Sequence, residues 1–302
     1  MSFFDLHCDT VYEATLQQNI SLQKNSLALD LQRGTPLSPW VQTFAFWIPD
    51  DYRDEDAYSL FQKQYQYFTR QLETLEDLHL YCGKTEQKGC YAILSVEGGA
   101  VLGGKLARIN DLKQAGVRML TLCWNGANEI ASGADATGGL TTFGRQAVFK
   151  LEQSNVIIDV SHLNEESFWD VARLAAQPFI ATHSNAYSVC PHRRNLKTDQ
   201  IKVIREAGGL IGLNFYKEFL GETSNGGIDA LIRHIDFFLQ LHCEDVLAIG
   251  SDFDGAEMPE DLMDITSIPT LRQTLLSHFG MELTEKILFQ NAQSFFRRQD
   301  LF

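Results

Sequence analysis

The sequence predicts an α/β protein built as a single (β/α)8 TIM barrel, and three observations carry this. Short apolar runs recur eight times along the 302 residues, mostly with helical segments between them, the pattern of a parallel sheet. No linker-like, low-complexity or repeated stretch interrupts them. Residues 1–302 therefore read as one domain, a common length for a barrel. A doubly wound open sheet would normally carry a glycine-rich phosphate loop after its first strand, and that position holds Cys8-Asp9-Thr10.

The elements follow in order. Phe3-Phe4-Asp5-Leu6 is a short apolar strand that runs into His7-Cys8-Asp9. Side chains alternate along a strand, so His7 and Asp9 point the same way and Cys8 the other. Residues 10–20 look helical, and 21–39 are polar and broken by Gly34, Pro36 and Pro39, an irregular connection. Residues 41–48 alternate and are rich in aromatics, a second strand. From 54 to about 80, Leu60, Phe61, Tyr65, Phe68, Leu72, Leu75 and Leu78 mark one long amphipathic helix.

Residues 90–96 are a third strand ending in Glu97-Gly98-Gly99. A helix over 105–115 is closed by Gly116, and 117–124 is a fourth strand. Residues 125–143, rich in Gly, Asn, Ser and Thr, form a long loop before a helix over 144–153. A fifth strand, 156–160, ends in Ser161-His162, and Asn164 caps a helix to Ala176. A sixth, 178–182, ends in His183-Ser184-Asn185. An irregular loop over 186–197 leads to a helix from Thr198, its cap, to Ala207. Residues 209–215 are a seventh strand and 228–241 a helix. An eighth strand, 246–250, runs into Ser251-Asp252-Phe253-Asp254-Gly255, with closing helices at 268–278 and 284–297.

Composition excludes several classes. At 44% hydrophobic and 21% charged the chain has an ordinary globular balance. A net charge of −14, with Arg193-Arg194 and Arg297-Arg298 as isolated basic pairs, offers no nucleic-acid face. No stretch approaches the ~20 apolar residues that span a bilayer, and no basic n-region or apolar leader follows Met1. The expected location is cytoplasmic, where the scattered Cys8, Cys82, Cys90, Cys123, Cys190 and Cys243 are free thiols.

The chemistry-bearing residues collect at strand ends. His7 and Asp9 follow the first strand, Glu97 the third, His162 the fifth, His183 the sixth and Asp252 the eighth. In a parallel barrel those ends share the C-terminal rim, where barrel enzymes keep their sites. Each residue alone has a bland reading: a core histidine, a turn-capping Glu97, a loop-holding Asp252. Six at five strand ends point to one metal site on that rim. Three imidazoles and three carboxylates exceed the needs of one tetrahedral ion and suit two, with Glu97 bridging. His7 and Asp9 would hold one ion, His162 and His183 the other. Zinc fits this donor set best; manganese, cobalt or iron also satisfy it. Two ions clamping a water or hydroxide would polarise a substrate carbonyl, and Asp252 is left to move the proton. His192, in the loop after the sixth strand, is the competing ligand. His79, His234, His242 and His278 read as solvated or structural.

These residues resemble the membrane dipeptidase (renal dipeptidase) family of metallopeptidases, along essentially the whole chain. The resemblance runs through His7-Cys8-Asp9-Thr10, Ser95-Val96-Glu97-Gly98-Gly99, Asp159-Val160-Ser161-His162, His183-Ser184-Asn185 with Arg193-Arg194-Asn195, Asn214-Phe215-Tyr216 and Gly250-Ser251-Asp252-Phe253-Asp254-Gly255. It implies two zinc ions on His7, Asp9, Glu97, His162 and His183, with Asp252 as the proton-transfer residue. It also implies that Arg194 binds the free carboxylate of a small dipeptide, with Tyr216 as a further substrate contact; Trp124 reads either as a wall of that pocket in contact with substrate or as packing under the 125–143 loop. His192 is not a ligand in that scheme. A homodimer is a common assembly in the family, although no sequence patch marks one here.

Two positions depart from the pattern. Trp124 stands where renal enzymes carry a substrate-binding His, and Phe219 where they carry a carboxylate-binding Tyr. The expected activity is hydrolysis of free dipeptides, including those with a C-terminal D-residue. The alternative is a related amidohydrolase acting on N-acyl amino acids or cyclic amides. A non-catalytic metal-binding barrel is the third reading.

Overall fold

Strand alternation gathers Phe4, Val41, Ile93, Met119, Ile157, Ile180, Leu210 and Ala248 into one buried apolar cluster, one residue from each of eight successive segments. The computed structural model describes residues 1–17, 20–221 and 226–299. Its strands are β1 (Phe3–Asp5), β2 (Trp40–Trp47), β3 (Leu78–Leu80), β4 (Cys90–Glu97), β5 (Val117–Thr121), β6 (Ile157–Asp159), β7 (Ile211–Leu213) and β8 (Leu247–Ile249). Its helices are α1 (Thr10–Leu16), the single turn α2 (Leu31–Gly34), α3 (Asp54–Thr74), α4 (Arg108–Gln114), α5 (Thr142–Gln153), α6 (Glu165–Leu174), α7 (Thr198–Glu206), the single turn α8 (Lys217–Leu220), α9 (Gly227–Gln240), α10 (Ile268–Glu285) and α11 (Asn291–Arg298).

The sheet runs β6-β5-β4-β2-β1-β8-β7, with every pairing parallel. The predicted sixth strand is only a pair of single bridges, Asp159 with Ile180 and Ala181 with Ile211. Val160 N–H donates to Ile180 O at 2.8 Å and Ala181 N–H to Leu210 O at 2.9 Å. Pro178, which has no N–H to give, helps keep this segment from forming a regular ladder. The two bridges close the gap between β6 and β7, completing the (β/α)8 barrel.

The long helix predicted over 54–80 stops at Thr74. Leu75 and Leu78 keep helical spacing, yet Leu78–Leu80 pairs with the first residues of β4. Thr198 is the first helical residue of α7 rather than its cap; Lys197 is the cap, its N–H donating to Gln200 Oε1 at 2.8 Å. The predicted helix over 10–20 ends at Leu16, and residues 18–19 lie outside the described residues. At the N-terminal end Phe4 stacks on Phe296 at 5.3 Å and meets Tyr81 edge-on at 5.8 Å, so the C-terminal segment plugs the barrel. At the other end Glu97 and Trp47, in register across β4 and β2, share the inward faces of Ile93 and Val41. Among the described residues no helix is long and apolar enough to cross a membrane.

Candidate metal centre and active site

The rim residues are held by the strand ends that carry them. Behind Glu97 the chain turns at Gly98, whose φ is 112°. A Cβ on Gly99 would lie 2.3 Å from Leu122 O, so only glycine lets β4 end tight against the next segment. His162 (φ 72°) and Asp252 (φ 64°) sit in the left-handed region, uncommon for residues with a Cβ and typical of a functional constraint. Asp252 N–H donates to His7 O at 3.1 Å, joining the first and last strand ends.

The six predicted groups converge. His7 Nε2 lies 3.3 Å from Asp9 Oδ2, 3.5 Å from Glu97 Oε2 and 3.9 Å from Asp252 Oδ1. The other oxygen of Glu97, Oε1, lies 2.6 Å from His162 Nε2 and 3.5 Å from His183 Nε2. Those two nitrogens are 2.8 Å apart. Two sets, His7 with Glu97 and His183, and His7 with Asp9 and Asp252, have the geometry to hold a metal ion.

The hydrogen bonds behind the histidines set what faces forward. His162 Nδ1 lies 2.9 Å from Asn125 Oδ1, an acceptor, so Nδ1 carries the hydrogen. Thr182 Oγ1 donates to Asp159 Oδ2 at 2.7 Å and therefore accepts from His183 Nδ1 at 2.8 Å. Asp159 is buried and also accepts from Thr121 Oγ1 and from the Ser161 and Thr182 N–H groups. Both histidines thus turn bare Nε2 lone pairs toward Glu97 Oε1. Three acceptors meeting with no hydrogen between them repel unless a cation sits among them. Asp9 Oδ1 is likewise buried with no partner among the described residues. The donor set fits divalent metal, with second-layer bonds of the kind that orient metal-binding histidines.

Crowding shows in the proton affinities. Burial disfavours the charged form of His7, but Glu97 and Asp9 override it and hold the imidazole well above its ordinary value. Burial and then Glu97 push Asp9 up to about 7 against the pull of His7. Burial raises Asp252 to about 6, opposed by His7. Burial, then the charge of Arg194, lowers His162 to about 4, and burial with His7 takes His183 well down. Burial would raise Glu97, yet His7 and His162 hold it well below the usual carboxylate value. A divalent cation would favour the deprotonated form of all six groups.

Beside the cluster opens a cavity of about 340 Å³ lined by Asp252, Arg194, Tyr216, Phe219, Trp47 and Trp124, among others. Arg194 is 6% exposed; its Nε and Nη2 have no hydrogen-bond partner among the described residues, and its guanidinium lies 5.4 Å from the Phe219 ring. Asp252 is steadied by Asn214 Nδ2, which donates to its Oδ2 at 2.9 Å. His192, the competing ligand, lies against Phe219 with ring centroids 4.6 Å apart and accepts the Arg194 N–H, outside the cluster. Cys8 and Cys123 are buried among apolar side chains, and burial pushes both thiols up. Sequence reasoning missed Trp47, Tyr12, Asn125 and Thr182. The strand-end rule that finds Glu97 also reaches Trp47, its register partner, once apolar residues are considered.

A parallel barrel with three imidazoles and three carboxylates buried at its C-terminal rim defines the class of metal-dependent, amidohydrolase-like hydrolases. Residues 1–301 match the membrane dipeptidase family, peptidase family M19, and the chain belongs to that family of metal-dependent dipeptidases. An uncharacterised protein from the pqqA 5′ region of Klebsiella pneumoniae is 36% identical over 219 residues, 68% of this chain and 81% of its own. Among solved structures, the metallopeptidase dipeptidase AC of family M19 is 27% identical with a TM-score of 0.92, over 99% of this chain and 98% of its own. A metallopeptidase from Rhodobacter sphaeroides, solved with a phosphinate mimic of the dipeptide L-Ala-D-Ala, is 26% identical with a TM-score of 0.92, over 99% of both chains.

Proposed function

We propose that this chain hydrolyses the peptide bond of free dipeptides, including those with a C-terminal D-residue, with two zinc ions at the rim. His7 and Asp9 would hold one ion, His162 and His183 the other, and Glu97 would bridge them. The observation that carries this is the meeting of two bare imidazole nitrogens and Glu97 Oε1 within 3.5 Å, while Glu97 Oε2 lies 3.5 Å from His7 Nε2. When bound, such an ion pair supplies Lewis-acid polarisation of the scissile carbonyl and lowers the pKa of a water nucleophile.

The protein's own groups do the rest. Asp252 takes the proton of the attacking water and passes it to the leaving amine, with Asn214 fixing its carboxylate. Arg194, buried and with two nitrogens unpartnered among the described residues, receives the substrate's carboxylate, which would satisfy a charge otherwise costly to bury. Tyr216 and Trp124 border the bound substrate. A cytoplasmic setting, in keeping with six free cysteines, belongs to this reading.

The test is hydrolysis of L-Ala-L-Ala, L-Ala-D-Ala and N-acetylated L-Ala-L-Ala by zinc-reconstituted protein, with and without chelator. Chelator-sensitive cleavage of the free dipeptides alone is expected. Cleavage of the acetylated compound alone would move the assignment to an N-acyl amide, the alternative that Trp124 and Phe219 motivate. Arg194→Ala should raise KM for dipeptides more than it lowers kcat; an unchanged KM would place the carboxylate elsewhere.

A further inference from the structure

Three aromatic side chains form a continuous wall on one side of the cavity. Tyr12 meets Trp47 edge-on at 4.6 Å and 70°, Trp47 meets Trp124 at 5.0 Å and 64°, and Trp124 lies 6.2 Å from the ring of His162. All three line the same cavity as Arg194. Their places follow from the ring order. Tyr12 follows β1, Trp47 ends β2 and Trp124 follows β5, so they flank Glu97 on β4. In strand order the segment after Ala181, whose following loop carries Arg194, and the end of β7, which leads to Tyr216 and Phe219, lie across the ring from β2 and β4.

We propose that this wall receives the side chain of the substrate's N-terminal residue and selects aromatic and large aliphatic side chains there. The proposal rests on the dipeptidase reading above. With the carboxylate at Arg194 and the scissile carbonyl over the histidine–carboxylate cluster, the N-terminal residue extends away from Arg194. One extended residue spans roughly 3.5 Å, too little to double back within so short a substrate. Edge-to-face rings offer apolar area and a preferred geometry to a further ring. Glu13, one residue beyond Tyr12, also lines the cavity. It would favour a cationic side chain instead, which makes lysine the informative competitor.

The experiment compares kcat/KM of the zinc-loaded enzyme for Gly-Ala, Ala-Ala, Leu-Ala, Phe-Ala, Lys-Ala and Ala-Phe. Phe-Ala and Leu-Ala should exceed Ala-Ala by roughly 10- to 100-fold, with no comparable gain for Ala-Phe. In Trp47→Ala and Trp124→Ala the Phe-Ala to Ala-Ala ratio should fall toward one. A profile led by Gly-Ala or Lys-Ala, or a ratio unmoved by both substitutions, overturns the proposal while leaving the dipeptidase reading standing. Absence of cleavage of every dipeptide overturns both. If a tryptophan variant fails to fold, the wild-type profile still decides between these outcomes.

Discussion

At the N-terminal end of the barrel Phe4 is sandwiched among Phe296, Phe289 and Tyr81. Three residues further along, His7 stands among two aspartates and a glutamate within 4 Å. The lower end is apolar and aromatic. The upper end holds buried like charges, bare lone pairs and non-glycine residues with positive φ at His162, Asp252 and Asp254. Such an arrangement persists because the packed barrel beneath holds the strand ends in place. The contrast teaches a division of labour along the same strands. Packing at the bottom supplies stability, and the top is left under-satisfied so that a ligand can complete it.

Substitutions at the two ends should separate these properties. The largest effect is expected from Glu97→Ala. Turnover should fall below detection and bound metal should drop in elemental analysis. Retained turnover would remove Glu97 from the metal centre. At the other end, Phe295→Ala should cost about 3–5 kcal/mol in denaturant unfolding and leave kcat/KM of the folded enzyme unchanged. A loss of activity beyond the unfolded fraction would show that the two ends are coupled.

A third test probes the support behind the rim. His234, buried on α9, accepts the Ala186 N–H at Nδ1 and donates to Leu220 O from Nε2. Burial lowers it to about 4 from an unfolded value of 6.5. Between those values the unfolded chain binds more protons, so stability is full above about pH 6.5 and is lost as pH falls toward 4. The contribution is roughly 3 kcal/mol. Unfolding midpoints against pH should show this slope in wild type and a shallower one in His234→Gln. Identical slopes would assign the acid sensitivity to other groups. The smallest effect is expected from Thr182→Val, which keeps the shape but removes the acceptor behind His183 Nδ1. Metal affinity should weaken roughly 10- to 100-fold, read by competition with a chelating dye. Unaltered affinity would show that His183 needs no such support.

Much of the barrel is legible in the sequence because each strand is an apolar run of local origin. The reading falters where two periodicities coincide. Leu75 and Leu78 satisfy a helix, yet Asp77 O accepts the Cys90 N–H and the segment becomes an edge strand. It falters again at 178–182, where apolar content suggests a regular strand but pairing is confined to two bridges. The polar half of the candidate site is legible because a histidine or carboxylate directly after an apolar run stands out. Of the aromatic half, Trp124 and Tyr216 come from the family resemblance, while Tyr12 and Trp47 look like core residues until their neighbours are known.

The sequence by itself determined the family, the barrel class and the strand-end positions of His7, Asp9, Glu97, His162, His183 and Asp252, because those features are encoded locally. Only the tertiary structure decided that Ile180 and Ala181 close the ring and that Thr182 and Asn125 turn two bare nitrogens toward Glu97. It also decided that three distant aromatics make one wall of the cavity that Arg194 lines. Those relations depend on which strands become neighbours around the barrel, a property of the assembled chain that no linear spacing expresses.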